Sequence, residues 1–586
     1  MVDHSKRRPG GSGRGPLGDG ERSSRDTLED GERSSPSPLQ DGERSSPGFQ
    51  RFGLFMGVLL FAVCLWAPGL PLDPLQRKVA AVASLTATFW LTVAIPVGAA
   101  SLLPAALFPI LGVMPAREVG PMYLRDLVML FLGAFIVALG LERWGVHRRM
   151  ALAVIQIVGS SRRRLVLGFM AASAFLSLWI NNTATTLLML PIVSAVLLRA
   201  EEEDRARGLS STDPRFGWCL LLGVAYASSV GGMGTPVGTA PNQEFLGQFQ
   251  MLFPDGPKLA FGEWFLAFAP LVLLFIPIAW WILTRVIYRF DDVAGSGADE
   301  VRSQREALGP WRAPEMRMAF VFGAAACLWV FRADLSLGSF TLPGWSRLLM
   351  GPEAADPAWY AAHKNDISDA TVAIALAVLM FMIPSGERPG ASPPKESPSG
   401  GEPDRRGSRG FLMDWRTASG LPWEVLLLLG GGFCLAHGFK VSGLDRVFGE
   451  ALAPLLADRP SWFVAGAVAL FVSFLTEVTS NTATTAVLLP VMAAAGVAAG
   501  LDPMAVMLPA TIAASAAFMM PVATPPNAVV FATRRIPVPV MARAGLVLNL
   551  VMVVLIVLVF EFWAADRLGV QSSTPEWARN SLAPTD

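Results

Sequence analysis

The sequence predicts an all-α polytopic membrane protein, with about 11 transmembrane helices plus two re-entrant helical hairpins in an inverted repeat. Three observations support this fold class. Apolar runs of roughly 20 residues, the length that an α-helix needs to cross about 30 Å of hydrocarbon, recur between Phe55 and Phe562. Only 16% of the 586 residues are charged, whereas soluble domains average about 25%. Two long runs are broken by a similar polar motif, 299 residues apart.

Most of the apolar runs can form one span each. They lie near 53–71, 79–97, 99–115, 126–144, 165–198, 217–246, 263–287, 317–332, 368–384, 423–441, 462–499, 504–533 and 542–566. The run 165–198 is too long for one crossing, and Asn181-Asn182-Thr183 divides it into arms of 16 and 15 residues that reach only about 24 Å each. Arginines flank both ends, which favours a re-entrant hairpin over two short tilted spans. The run 462–499, broken at Ser480-Asn481-Thr482, is interpreted in the same way.

The distribution of Lys and Arg predicts the topology. Loops 142–165, 285–317 and 386–416 carry six basic residues each, whereas loop 247–262 carries only Lys258. By the positive-inside rule the N-terminus is cytoplasmic and the C-terminus is outside. We therefore expect a multi-pass protein of the cell (inner) membrane, in contact with the lipid bilayer.

Polar segments divide the chain into regions. Residues 1–49 contain DGERSS three times with an 11-residue period but no apolar seam, so we expect a disordered N-terminal tail rather than a coiled coil. The first half spans 50–384 and the second half spans 413–566. Between them, 385–412 are rich in Pro, Gly and Ser and are expected to form a flexible cytoplasmic linker. Residues 567–586 are expected to form a C-terminal tail.

The composition excludes several classes of function. With 47 basic and 47 acidic residues the net charge is zero, so nucleic acid is not an expected partner. The four cysteines lie in apolar stretches without CxxC spacing, and the four histidines are too scattered for a zinc site. Neither a Ser/His pairing at the polar motifs, nor HExxH, nor paired intramembrane aspartates are found. We therefore expect no enzyme and no organic cofactor.

An internal repeat links the two halves. Residues 175–192 and 474–491 are identical at nine of 18 positions, and in each copy a Pro follows the central Asn by nine residues. PVGTAPN at 236–242 matches PVATPPN at 521–527 at five of seven positions. Helix capping explains one polar tip, but not the same tip twice with the same flanks. A polar hairpin tip followed by a Gly/Pro-interrupted span, present in both halves, is typical of an inverted-repeat transporter.

The broken helices indicate which ligands the tips suit. Backbone groups exposed at mid-membrane must face protein, water or ligand, because lipid cannot satisfy them. Helix N-termini present N–H groups and partial positive charge to carboxylate or sulfate oxygens. Carbonyls and Ser, Thr and Asn oxygens suit sodium. Since no Lys or Arg lies inside either tip, anion binding would depend on a nearby cation, and this dependence couples the two ligands.

On these motifs, the chain resembles the divalent-anion/sodium symporter family, which includes INDY-type di- and tricarboxylate transporters. The resemblance covers nearly all of 53–566, and AFMMPVATPPNAVVF at 517–531 is among its most specific parts. It implies eleven spans, two hairpins, a homodimer and a transport domain that moves like an elevator against a scaffold. It also implies Na⁺ as the coupling ion and a small divalent anion as the substrate, with C4-dicarboxylates such as succinate favoured because facing tips suit two separated carboxylates.

The resemblance also implies a set of site residues. Ser480, Asn481 and Thr482 match the family's Ser-Asn-Thr motif, whereas Asn181 stands in place of the usual Ser in the first copy. The implied substrate-binding residues are Asn181, Asn182, Thr183, Thr239, Ser480, Asn481, Thr482, Thr524 and Pro525. The implied sodium ligands are Ser177, Asn181, Asn182 and Gly238 in the first half, and Thr476, Thr479, Asn481 and Ala523 in the second.

One acidic residue, Glu477, lies inside the second hairpin. A carboxylate at the bilayer centre costs roughly 2.5–3.5 kcal/mol by insertion scales, so we expect it to be functional. It could relay protons, or it could brace the hairpin by accepting backbone or hydroxyl hydrogen bonds. The family often has Glu here beside sodium coupling, which favours the brace.

Taken together, these features predict a sodium-coupled secondary active symporter of divalent anions. The alternatives within transport are a sodium-independent dicarboxylate exchanger, a proton-coupled carrier, and a sulfate or citrate carrier of the same fold. A channel or receptor is less favoured, because paired polar tips with matched broken spans suit an occluded site better than a conduit.

Overall fold

The computed structural model describes residues 47–159, 161–207, 213–292, 298–336, 340–350, 359, 363, 366–386 and 410–581. These residues are mostly helical, which confirms the predicted all-α class, while the inverted repeat stays a prediction. Within them, the only named strands are β1 (Leu335–Ser336) and β2 (Thr341–Leu342), which pair antiparallel with Leu335 opposite Leu342.

The first half begins with α1 (Pro47–Trp66), α2 (Pro74–Thr92), α3 (Val97–Ala100), α4 (Leu103–Ile110), α5 (Ala116–Val119), α6 (Asp126–Arg143) and α7 (Val146–Val158). It continues with α8 (Arg162–Ser177), α9 (Asn182–Ala206), α10 (Pro214–Gly231), α11 (Ala240–Leu252), α12 (Phe261–Trp281), α13 (Ala298–Ala307), α14 (Ala313–Val330), α15 (Trp345–Met350) and α16 (Asp369–Met380). Short 3₁₀ turns lie at Gly120–Leu124 and Gly232–Gly234, and a π turn at Ile282–Ile287 follows α12.

The second half contains α17 (Trp415–Ala418), α18 (Trp423–Ser442), α19 (Leu444–Leu456), α20 (Ser461–Leu475), α21 (Asn481–Ala498), α22 (Pro503–Ala514), α23 (Pro525–Phe531), α24 (Val538–Val559), α25 (Ala565–Arg567) and α26 (Glu576–Ser581). A π turn at Phe560–Ala564 follows α24, as one follows α12 in the first half.

Nine helical segments of the described chain are long and apolar enough to cross a membrane. They are Gly48–Trp66, Ala116–Arg143, Asn182–Ala206, Pro214–Gly234, Phe261–Ile287, Ala313–Val330, Trp423–Ser442, Asn481–Ala498 and Val538–Arg567. Helices α19 and α20 together meet the same criterion but are bent by 119°. The protein is therefore a multi-pass membrane protein, while the count of eleven spans and the re-entrant path of the hairpins stay predictions.

The first hairpin differs from its predicted length. Its second arm, α9, has 25 residues and continues to Ala206, well past the predicted end at residue 198. The added residues are mostly Ala, Glu and Arg, which favour helix, and Arg199 pairs with Glu202 and Glu203 one turn later. The predicted arm of 15 residues is therefore wrong, because the helix continues beyond the end of the apolar run.

The two Gly/Pro-interrupted runs are broken as predicted. The first broken span consists of α10 and α11 with the intervening residues 232–239, and the second consists of α22 and α23 with residues 515–524. Every residue from 219 to 239 is buried, so the first break lies in the protein interior. Helix α10 packs tightly on α8, since a Cβ at Gly231 would come within 2.3 Å of the Ala174 carbonyl.

The predicted tails and linker are only partly within the described residues. Most of the DGERSS tail lies outside them, and α1 begins at Pro47, three residues before the predicted boundary. The linker's central part, 387–409, also lies outside, but its ends meet where Leu412 N donates to Ile383 O at 2.9 Å. The C-terminal tail packs against the protein. Trp577 contacts the rings of Phe249 and Phe253, with centroids 5.6 and 5.3 Å away, and Thr574 N donates to Gly500 O at 3.0 Å.

Candidate substrate and cation site

The first tip, residues 178–183, joins α8 to α9. Asn181 has extended backbone angles, and its Oδ1 accepts a hydrogen bond from Ala184 N at 2.8 Å, which caps α9. The side chain of Asn181 is otherwise exposed, whereas Asn182 and Thr183 are half-buried. Helix α9 therefore begins at the predicted break. Its N-cap is Asn181, the residue that departs from the family motif.

The amide of Asn182 points into a group of oxygen atoms. Its Oδ1 lies 2.6 Å from Ser177 Oγ, 3.0 Å from Ser228 O and 3.3 Å from Gly238 O. Only the Ser177 hydroxyl can donate, so two carbonyls face Oδ1 with no proton between them. Two arrangements satisfy these atoms: the amide turns to direct Nδ2 at them, or a cation lies among them.

Gly238 is required at this position by close packing. A Cβ there would come within 2.5 Å of Gly232 O and 2.9 Å of Ser177 O. The predicted ligands Ser177, Asn182 and Gly238 therefore lie together, and Ser228 joins them through its carbonyl. Sequence analysis did not identify Ser228, because a backbone carbonyl leaves no mark on residue type.

The second tip, residues 477–482, repeats this geometry. Thr476 Oγ1 lies 2.5 Å from Asn481 Oδ1, as Ser177 does from Asn182, and 3.0 Å from Ala514 O. Ser480 stands at the N-cap of α21, but its side chain makes no capping hydrogen bond. The predicted ligand Thr479 is bonded within the hairpin, where its Oγ1 donates to Leu475 O and lies 2.7 Å from Thr484 Oγ1.

The two broken spans share a hydrogen-bond pattern that sequence analysis did not anticipate. Asn242 Nδ2 donates to Gly232 O at 3.1 Å and to Thr235 O at 2.8 Å. In the second half, Asn527 Nδ2 donates to the matching carbonyls of Ala517 and Met520, both at 3.1 Å. Both asparagines are fully buried. Each one closes the loop that carries the predicted ligands, Gly238 in one half and Ala523 in the other.

The breaks of the two halves meet at one point. Thr239 Oγ1 lies 3.4 Å from Ser515 Oγ, across 276 residues of sequence. Its counterpart Thr524 instead caps α23 through a 3.3 Å hydrogen bond from Asn527 N. The predicted substrate residues Thr482 and Pro525 are half-buried and exposed, respectively, at the starts of α21 and α23. These four threonine and proline positions thus lie at helix N-termini, and Thr239 lies where the two breaks meet.

Glu477 forms the brace that the sequence favoured. Its carboxylate accepts hydrogen bonds from Phe518 N at 2.7 Å and from Met519 N and Met520 N at 2.9 Å each. Asn549 Nδ2 adds a fourth donor at 2.7 Å. Donors saturate the carboxylate, which is 4% exposed, so it joins the second hairpin to the second broken span.

Comparison with known proteins gives a consistent result. Residues 50–566 match the family described as the sodium:sulfate symporter transmembrane region. The sodium-dependent dicarboxylate transporter SdcS of Staphylococcus saprophyticus is 36% identical over 532 residues, covering 90% of this chain and 93% of that protein. SdcS from Staphylococcus aureus strain bovine RF122 is 34% identical over 530 residues with the same coverage.

A solved structure supports the fold alone. MtrF of Neisseria gonorrhoeae, described as illuminating a class of antimetabolite efflux pumps, superposes with a TM-score of 0.51 at 15% identity. The alignment covers 90% of this chain and 97% of that chain.

Proposed function

The chain belongs to the sodium:sulfate symporter family, and we propose that it is a sodium-coupled secondary active symporter of dicarboxylates. Two SdcS proteins named as sodium-dependent dicarboxylate transporters, 34–36% identical over 90% of the chain, support this substrate class. The observation that carries the proposal is the group of oxygen atoms at each tip. At the first tip the Asn182 amide lies 2.6 Å from Ser177 Oγ, 3.0 Å from Ser228 O and 3.3 Å from Gly238 O. At the second tip Thr476 Oγ1 lies beside both Asn481 Oδ1 and Ala514 O.

The first sodium site is formed by Ser177, Asn182 and Gly238, with Ser228 O as an added ligand. Asn181 Oδ1 already accepts one hydrogen bond and keeps one lone pair for a ligand. The second site is formed by Thr476 and Asn481, with Thr479 and Ala523 contributing carbonyl groups. Neutral oxygens are the donors that a hard monovalent cation needs, and none of these residues brings a competing positive charge.

The dicarboxylate lies between the tips, with one carboxylate near each. The N-termini of α9 and α21 direct N–H groups there, and Asn181, Thr183, Ser480, Thr482, Thr239, Thr524 and Pro525 complete the site. Because no basic side chain lies in either tip, bound sodium offsets the anion's charge, so the substrate binds well only when sodium is present. Succinate is the substrate that we favour.

The protein acts in the cell (inner) membrane as a homodimer with a cytoplasmic N-terminus, and its transport domain moves like an elevator against a scaffold. These features follow from the family resemblance and the distribution of basic residues.

Uptake into proteoliposomes tests the proposal. Labelled succinate, citrate and sulfate are each supplied with and without an inward sodium gradient, at a clamped membrane potential. We expect succinate uptake that needs sodium and grows with a negative interior, since each net positive charge that enters gains about 2.3 kcal/mol per 100 mV. Sodium-independent, voltage-independent counterflow would replace symport with exchange. Preferred uptake of sulfate or citrate would reassign the substrate.

A further inference from the structure

Glu244, in the middle of α11, is a buried carboxylate outside both tips. Its side chain is fully buried, and its Oε1 accepts a hydrogen bond from Gln248 Nε2 at 2.7 Å. Its Oε2 is buried without a hydrogen-bond partner. The backbone of α18 packs directly on this group, since a Cβ at Gly432 would come within 1.9 Å of Oε1. The carboxylate is therefore enclosed between two helices.

The elements around Glu244 bring no positive charge to it. Helix α11 packs on α18, α21, α22 and, more lightly, α6, and neither α21 nor α22 contains an ionisable residue. On α18, Lys440 and Glu424 lie eight residues either side of Gly432, about 12 Å along the axis, and Lys440 donates to Leu252 O. His437 points about 140° away from Gly432 around that helix. The ionisable residues of α6, Asp126, Glu142 and Arg143, lie at its ends.

The partner of Glu244 lacks a donor as well. Gln248 Nε2 donates to both Glu244 Oε1 and Ala486 O, at 2.7 and 2.9 Å, so both of its N–H groups are used. Gln248 Oε1, like Glu244 Oε2, is buried without a partner. The pair thus has two unsatisfied acceptors, and a proton on Glu244 would convert one of them into a donor. An uncompensated buried carboxylate is strongly disfavoured, and such a group usually becomes neutral.

We propose that Glu244 is a proton-binding site, separate from the tips. It holds a proton while α11 is packed against α18 and α21, and it releases the proton to water when that packing opens. On release the O–H bond breaks, the electron pair stays on the carboxylate, and the proton leaves as hydronium. Rebinding reverses the step.

The opening is a step of the proposed transport cycle, and this part of the inference rests on the proposed function. Helix α11 follows the N-cap residue Thr239, and α21 begins at Asn481. Both helices therefore start at the candidate site. A motion that admits substrate there also moves the contacts around Glu244.

The proton is tested first without transport. Thermal unfolding of the purified full-length protein in detergent is followed from pH 6 to 9 for wild type and Glu244→Gln. The matched control is Glu424→Gln, because Glu424 is an exposed carboxylate on α18. The unfolded Glu244 carboxyl, with an ordinary pKa of about 4.3, has lost its proton throughout this range. As long as the native state keeps this proton, raising the pH favours unfolding of the wild type. Its unfolding equilibrium constant, divided by that of Glu244→Gln, should therefore increase by up to tenfold for each unit that the pH rises.

The control should behave as wild type, and a wild type that parallels Glu244→Gln at every pH would overturn the proposal. Infrared spectroscopy covers the case in which Glu244→Gln does not fold. Wild type at pH 7 should show the carbonyl stretch of a protonated acid, and its absence would also overturn the proposal.

Transport then tests the release of the proton. Succinate uptake at saturating sodium is measured between pH 6.5 and 8.5, where succinate is mostly the dianion. Wild type and Glu244→Gln receive the same substrate, so any change in its charge affects both equally. We expect the wild-type rate to change at least about threefold over this range, and the rate of Glu244→Gln by less than about 1.5-fold. Equal pH profiles would refute release during transport. An altered sodium titration with an unchanged pH profile would instead assign a sodium ion to Glu244.

The two proposals can fail separately. If wild-type uptake is independent of sodium, the proposed function fails. The unfolding and infrared results still decide whether Glu244 holds a proton.

Discussion

The two halves of the molecule use the same backbone arrangement but assign its hydrogen bonds to different side chains. In the first half, Asn181 caps the hairpin helix and Thr239 reaches Ser515. In the second half, Ser480 makes no cap, and Thr524 caps its own short helix. The capping role has moved from the hairpin to the broken span.

The link between hairpin and broken span is exchanged in the same way. In the first half, a side chain of the loop, Thr235, donates to the hairpin backbone at Leu178 O at 2.5 Å. In the second half, a side chain of the hairpin, Glu477 at the position equivalent to Leu178, accepts from the loop backbone at Met520 N. The hairpin therefore contacts the broken span at equivalent positions in both halves, but different side chains make the hydrogen bonds.

The largest expected effect on transport is for the tip asparagines, Asn182 and Asn481, which the two halves share. Asn182→Ala and Asn481→Ala should each reduce sodium-driven succinate uptake by roughly 5- to 150-fold, since removing one partner of a buried polar group costs about 1–3 kcal/mol. Uptake per molecule inserted into proteoliposomes is the measurement, and Asn580→Ala, at an exposed position near the C-terminus, is the control. If only one of the two variants loses uptake, the two tips are not equivalent. If both variants transport at the wild-type rate, the tips are not part of the transport site.

The next effect concerns stability and should differ between the two halves. Glu477→Gln places an amide N–H₂ against backbone N–H donors, whereas Thr235→Val removes the hydroxyl that donates to Leu178 O and accepts from Gly238 N. We expect the first change to destabilise the protein by about 2–3 kcal/mol and the second by about 1–2 kcal/mol. Thermal unfolding in detergent measures both. Equal losses would contradict the idea that the second half depends on its carboxylate, and a small effect of Glu477→Gln on stability with a changed pH profile of uptake would favour a proton relay.

A smaller effect is expected for Asn181→Ser, which restores the family motif. Ser and Asn are equivalent helix caps, so stability should change by only a few tenths of a kcal/mol. The apparent sodium affinity or the Hill coefficient of uptake should change more than the preference among succinate, citrate and sulfate. A sodium titration with each substrate measures this. If the sodium dependence is unaltered, Asn181 is a cap and not a ligand.

The smallest effect is expected for the region outside both halves. A chain that starts at Pro47, where α1 begins, should transport succinate at the wild-type rate per inserted molecule, because the DGERSS repeats have no apolar residues with which to form a core. Quantitative blotting of the reconstituted protein corrects for insertion. Reduced uptake by a correctly inserted truncation would assign a role to the tail.

The sequence predicted the features that depend on local pattern. The apolar runs predicted the helices. The polar motifs Asn181-Asn182-Thr183 and Ser480-Asn481-Thr482 predicted where α9 and α21 begin, and the Gly/Pro motifs predicted the two breaks. For Glu477 the residues alone left a proton relay and a brace open, and the family resemblance favoured the brace that the structure shows.

Other features could not be predicted because they depend on tertiary packing. The Ser228 carbonyl joins the first oxygen group through the fold, and any residue type has a carbonyl. The contact between Thr239 and Ser515 depends on how two distant loops pack. The end of α9 at Ala206 was missed because hydropathy marks the apolar run, whereas helix propensity continues past it. The sodium and substrate roles of the tip residues remain predictions from the family resemblance and the geometry.

The packed C-terminus has a practical consequence for work with this protein. Trp577 covers Phe249 and Phe253 at the end of α11, and Asp502 Oδ2 accepts a hydrogen bond from Gln571 N. A purification tag or fluorescent fusion spliced in at residue 567 would uncover these aromatic rings. The handle therefore belongs after Ser581, and a protease site placed between Thr574 and Trp577 would be expected to resist cleavage until α26 detaches.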